Sequence, residues 1–146
     1  MRDRVTLSDV ARDHSRHDLA WAKERIVPIR RRWPKSAAAH YVFATAVLLP
    51  AGRLDQAEEE LRAALKFNHG AGFEGWVQAF SEAQLGIVAF RRGNHEEARR
   101  RINHALDTYT SERLLQQVLP YLRQMPASEA TDRGVSKPAD AIPAQP

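Results

Sequence analysis

Residues 85–106 read LGIVAFRRGNHEEARRRINHAL, and their pattern is that of two helices joined by a short turn. Leu85, Gly86 and Ala89 fall on one helical face by the i, i+3, i+4 rule. Gly86 stands in mid-helix, where glycine costs about 1 kcal/mol relative to alanine. The missing side chain there lets a partner helix come close. Gly93 stops the first helix, because glycine takes the left-handed C-cap conformation without strain. Asn94 is the expected N-cap of the second, and Glu97 completes a capping-box-like pair. The second helix carries Ala98, Ile102, Ala105 and Leu106 on one face. Glu96 with Arg100 and Glu97 with Arg101 form i, i+4 pairs in the favourable order on its outside. A turn this short permits only antiparallel packing of the two helices.

The same grammar occurs earlier in the chain. Tyr41, Ala44, Thr45 and Leu48 make one face, and Gly52 stops that helix. Asp55 with Glu58 reads as a second capping-box-like pair, followed by Ala57, Leu61, Ala64 and Leu65 as the facing stripe. Gly52 to Gly93, Ala57 to Ala98 and Leu61 to Ile102 are each separated by 41 residues, so the hairpin is a repeat.

At this point the residues resemble the tetratricopeptide repeat family, whose signature of about 34 residues has a small residue in the first helix, glycine at the turn, then alanine, a large apolar residue and alanine. Leu85-Gly86, Ala89, Gly93, Ala98, Ile102 and Ala105 fit it, as do Ala44-Thr45, Leu48, Gly52, Ala57, Leu61 and Ala64. The chain departs from the signature in three ways. Tyr41 and Glu82 stand where the family has tryptophan, the proline after the second helix is missing, and the period is 41. The extra residues fit the stretch Asn68–Gly75, which holds three of the seven glycines. The resemblance covers residues 35–110 and, more weakly, the first 34. It implies an all-α solenoid of antiparallel helix hairpins, about three pairs plus a C-terminal capping helix. It also implies a concave groove that receives a peptide or a partner's helix. The family's carboxylate-binding variant uses Lys, Arg and Asn along that face. Here only Arg91 is a candidate, so that specificity is not expected.

Composition sets outer bounds. The chain has 146 residues, 43% hydrophobic and 27% charged, the balance of one soluble domain. No run of 18 apolar residues exists, which excludes a helical membrane span by sequence. The N-terminal MRDRVTLSDVARDHSRHD has no apolar signal core, so export by that route is not expected and a cytoplasmic location is. With no cysteine there are no disulfides, thiolate metal sites or Cys nucleophiles. The net charge of +4 is local: residues 1–35 hold ten Lys/Arg against five Asp/Glu, whereas residues 36–126 hold ten of each.

Along the chain, residues 5–17 have a weak helical pattern through Val5, Val10, Ala11 and His14. Residues 18–32 carry Leu19, Ala22, Ile26 and Ile29 on one face, with Pro28 expected to kink or end the helix. The two segments read as a degenerate pair, because helical repeats need about three units to bury their faces. A repeat over 36–68 follows, its first helix drawn as Pro34–Leu49 and its second as Leu54–Phe67. The repeat over 75–110 comprises helices Gly75–Arg92 and Asn94–Tyr109. Ser111 is expected to cap a last helix over 111–125 bearing Leu114, Leu115, Val118, Leu119 and Leu122, kinked or ended by Pro120. Residues 127–146 lack periodicity and read as a disordered tail.

Four features bear on function. The first helix of each repeat has a second apolar stripe: Val42, Ala46 and Leu49 in one, Phe80, Ala83, Ile87 and Phe90 in the other, with Arg91 beside it. A helix apolar on two faces is buried on both or awaits a partner on one. Arg30, Arg31, Arg32 and Lys35 form a basic patch around Trp33, itself assigned to the core. His14 and His17 lie among Asp9, Asp13 and Asp18, but a metal needs further ligands. The glycines of Asn68–Gly75 lack the strand and Lys-Ser/Thr of a phosphate loop. No catalytic, cofactor or metal residues are expected. The function expected is therefore a non-enzymatic protein–protein interaction module that binds another protein or peptide in an apolar groove, helix-in-groove being the leading mode. The alternative is a basic accessory factor contacting nucleic acid through the arginine-rich segment. A homo-oligomer through an open repeat edge is a further expectation.

Overall fold

Capping chemistry sets most helix boundaries in this protein, whose computed structural model describes residues 7–125. The tail 127–146 and the first residues of the 5–17 segment lie outside the described residues. Helix α1 spans Leu7–Asp13 and leads through a tight 3₁₀ turn into α2, Leu19–Arg32. Helix α3 spans Ala37–Phe43 and continues as a wider π turn over Ala44–Leu48. Then come α4, Leu54–Phe67; α5, Gly75–Arg91; α6, His95–Thr108; and α7, Glu112–Gln124. The described residues are all-α, without a strand. None of these helices is long and apolar enough to cross a membrane.

Side-chain oxygens of Asp18, Ser36, Asn94 and Ser111 accept the N–H of the residue three positions on, at 2.9, 3.1, 3.2 and 3.2 Å. Ser36 therefore starts α3 at Ala37, not at the expected Pro34. The expected capping box at Asp55 is absent. Helix α4 begins one residue before it, at Leu54, and no side chain caps it. Asp55 and Glu58 instead both pair with Arg92 at the end of α5. Glu97 pairs with both Arg100 and Arg101, at 2.7 and 2.5 Å. Helices α2 and α7 run through Pro28 and Pro120 rather than ending there. Both prolines are exposed, so water can take the Glu24 and Gln116 carbonyls that lose a donor.

The two glycine turns have the same hydrogen bonds. Gly52 and Gly93 have φ of +76° and +85°, the left-handed region. The Gly52 and Gly93 N–H groups donate to Leu49 and Phe90, at 3.0 and 2.9 Å. Arg53 and Asn94 donate to Leu48 and Ala89, both at 2.9 Å. These are paired 5→2 and 6→1 closures of a Schellman end, 41 residues apart.

Each helix packs on its neighbours in sequence, from α1 on α2 to α6 on α7. A second set of contacts joins α1 to α3, α3 to α5 and α5 to α7, so these four lie in one row. The hairpin cores are small residues around one large one. Ala57, Leu61 and Ala64 on α4, and Ala98, Ile102 and Ala105 on α6, are each 0% exposed. Ala22 and Ile26 of α2 repeat this spacing 35 residues before Ala57 and Leu61, and α2, α4 and α6 are each 14 residues long. Leu19 does not belong to that buried face, being 36% exposed. Gly86 brings α5 against α6: a Cβ built there would lie 2.8 Å from Ile102 Cγ1.

Candidate functional site

A groove of about 890 Å³ opens along the row of α1, α3, α5 and α7. Five aromatic rings line it: Tyr41, Trp76, Phe80, Tyr109 and Tyr121. Four of them are linked edge to face. Tyr41 meets Trp76 and Phe80 at 5.7 and 6.3 Å between centroids, and Phe80 meets Tyr109 at 6.2 Å.

The floor is polar where the sequence led us to expect an apolar surface. Gln84 of α5 donates from Nε2 to Gln117 Oε1 of α7 at 2.9 Å. Tyr41 of α3 lines the groove with these two glutamines. Burial pushes the Tyr41 phenol well above its ordinary pKa, against the opposing effect of those two amides. One amide bond thus joins α5 to α7 in the floor.

Cations stand at the rim. Arg91 at the end of α5 donates to the Leu49 carbonyl at 3.3 Å, and Arg113 of α7 is exposed beside the groove. Arg12 of α1 is held by Asp13 and Asp9, both at 2.8 Å, which raises its already high pKa. His14 also lines the groove, and burial lowers its pKa. These groups can bind a guest by stacking, amide hydrogen bonds and charge.

Of the residues expected to form the groove, Val42, Leu49, Phe80, Ile87 and Arg91 line it. Ala46 and Ala83 do not; they are 2% and 0% exposed beneath it. Phe90 is covered by His95, stacked at 5.1 Å, and by Tyr121, edge-on at 5.3 Å. Among the residues missed are Tyr41, Thr45, Trp76, Gln84, Tyr109, Gln117 and Tyr121. One signal pointed to Gln84: it is the polar member of an otherwise apolar run from Ala83 to Phe90.

The basic patch is divided. Arg30 donates from Nε to Glu60 at 2.9 Å, under cover of the Phe43 ring, and so leaves the surface cluster. Glu60 also meets His40 Nδ1 at 2.6 Å, while His40 Nε2 lies 2.6 Å from the Pro34 carbonyl. Two acceptors on one imidazole call for a proton on each nitrogen, and the bond to Glu60 raises the His40 pKa. Arg31, Arg32 and Lys35 remain exposed. Trp33 is 52% exposed and is not a core residue, contrary to expectation. His17 stacks on Trp21 at 3.9 Å, away from His14 in the groove. The glycine loop is organised by buried Asn68, which holds both the N–H and the carbonyl of Glu74.

Comparison with protein-family models, with curated proteins and with solved structures finds no match to this chain.

Proposed function

We propose that this protein is a non-enzymatic interaction module, a short solenoid of tetratricopeptide-like hairpins that binds a segment of another protein in its groove. The observation that carries the reading is the row of α1, α3, α5 and α7, whose shared groove is lined by five aromatic rings, with Trp76, Tyr109 and Tyr121 half-buried and Tyr41 and Phe80 buried behind them. The hairpin reading is supported by the duplicated glycine turns and the duplicated Ala-large-Ala faces. Burial of the guest's apolar side chains against the rings would supply the affinity, at roughly 25 cal/mol per Å² before the costs of association.

Val42 and Ile87 are 1% and 4% exposed, so charges placed there would disturb the fold itself. Half-buried Thr45 lines the groove and is the better probe. A random peptide library displayed on phage and selected on the full chain should enrich binders. Thr45→Arg should abolish their capture while leaving helicity unchanged. Binders indifferent to Thr45→Arg would falsify the groove as the site.

A further inference from the structure

A second binding surface lies at the corner between α2 and α3, independent of the groove. Three arginine clusters mark the surface, and they differ in what they face. Arg92 pairs with Asp55 and Glu58, and Arg100 and Arg101 pair with Glu97. At the corner, Arg30 is held by Glu60, but Arg31, Arg32 and Lys35 pair with no carboxylate among the described residues. Between them stands an indole that is half in water. The Arg32 guanidinium lies over the Trp33 ring, 5.1 Å from its centroid. Arg32, Trp33, Pro34, Lys35 and Ser36 enclose a shallow pocket of about 420 Å³.

The corner is anchored. The Trp33 N–H donates to the Ile29 carbonyl at 3.0 Å, and the Ser36 N–H donates to the Trp33 carbonyl at 3.1 Å. The Pro34 carbonyl is held by buried His40. The backbone under the indole is therefore fixed on both sides. An exposed aromatic ring on a held backbone, flanked by cations that lack carboxylate partners among the described residues, suits a ligand with flat rings and repeated negative charge.

We propose that this corner binds single-stranded nucleic acid, one base stacking on Trp33 and the flanking phosphates meeting Arg31, Arg32 and Lys35. Only an unpaired strand fits both halves of the site, because in a duplex the base faces are already stacked. An anionic membrane would use the same cations but would take the indole into its interface instead of stacking on it.

The test titrates the full chain against a short fluorescein-labelled oligodeoxythymidylate, read by anisotropy at several salt concentrations. Three phosphate contacts predict that log K falls with log salt at a slope of about −2. Trp33→Ala should weaken binding about five- to 150-fold, the range of one base stacked on an aromatic ring. Trp33→Phe should keep most of the affinity, and Arg31→Ala with Lys35→Ala should flatten the salt slope. The same sequence as a duplex should bind more weakly. All four side chains are exposed, so circular dichroism of each variant should match the parent. Three results would overturn the proposal. They are no binding at low salt, a Trp33→Ala variant of undiminished affinity, or stronger partition onto phosphatidylserine vesicles than onto the oligonucleotide.

Discussion

Hairpin α3–α4 and hairpin α5–α6 solve one packing problem in two ways. Their turns share the same hydrogen bonds, and Leu61 and Ile102 hold equivalent buried places. The residue opposite differs. Gly86 of α5 has no side chain, and its helix lies hard against Ile102. The equivalent residue of α3, 41 positions earlier, is Thr45. A threonine in that slot would collide with α4 in a regular α-helix of the same placement. Instead α3 widens: the Leu49 N–H reaches back to Ala44 at 2.9 Å, and the Thr45 hydroxyl donates to the Tyr41 carbonyl at 3.0 Å. A π turn takes in one extra residue. Groove-lining positions accordingly recur at 42, Ala38 with Phe80, Val42 with Gln84, and Thr45 with Ile87. Thr45 thus turns towards the groove. One side chain too many at a tight crossing sends a hydroxyl to the groove.

This comparison is broken or sharpened by four measurements, from the largest expected effect down. Leu61→Ala and Ile102→Ala should each destabilise by about 2–5 kcal/mol in chemical denaturation, as fully buried large residues do. Equal losses would support equivalent places; a loss in one hairpin alone would not. Gly86→Thr should cost about 1–3 kcal/mol by overpacking Ile102. Thr45→Ala should stay within about 1 kcal/mol, since it removes a single local hydrogen bond. If the two cost the same, the account of the π turn fails.

Asn94→Ala should cost about 1 kcal/mol, because its side chain caps α6. Arg53→Ala at the equivalent place should leave thermal stability nearly unchanged, as α4 has no side-chain cap to lose. The smallest effect is pH-dependent and belongs to the α3–α4 hairpin alone. The hydrogen bond to Glu60 raises the pKa of His40 in the folded state, although burial opposes it. Its stabilisation is therefore complete below the unfolded value of about 6.5 and is lost as pH rises through the folded one. For Glu60, burial works upward, but the bonds from His40 and Arg30 win and lower its pKa. Its contribution is present above the ordinary carboxylate range and is lost on acidification. Melting temperatures of the parent and His40→Gln should therefore differ most near pH 5–6 and converge as pH rises through the raised His40 value. A constant difference across that range would remove the ionised triad.

Helix identities and the duplicated hairpin were legible because capping residues and apolar period are local signals. Asn94, Ser111 and the two glycines announce their roles by position. What was not legible depends on contacts far apart in sequence. Asp55 and Glu58 look like a capping box until Arg92, 34 residues beyond Glu58, is brought alongside. Arg30 looks like part of a basic run until Glu60 arrives from α4. Trp33 looks like core by composition, yet a turn immediately after a helix C-terminus leaves it with little to pack against. The groove was half legible. Its apolar members follow helical spacing, but Thr45 reaches it through a π turn that no periodicity announces, and Gln117 joins only when α7 docks.

The amide bond between Gln84 and Gln117 also bears on how a guest of the proposed groove would be read. A peptide bond entering there would exchange that link for another amide bond of similar strength. Such a floor would discriminate weakly among residues and strongly among backbone positions. The rings above it are left to decide which side chains are welcome.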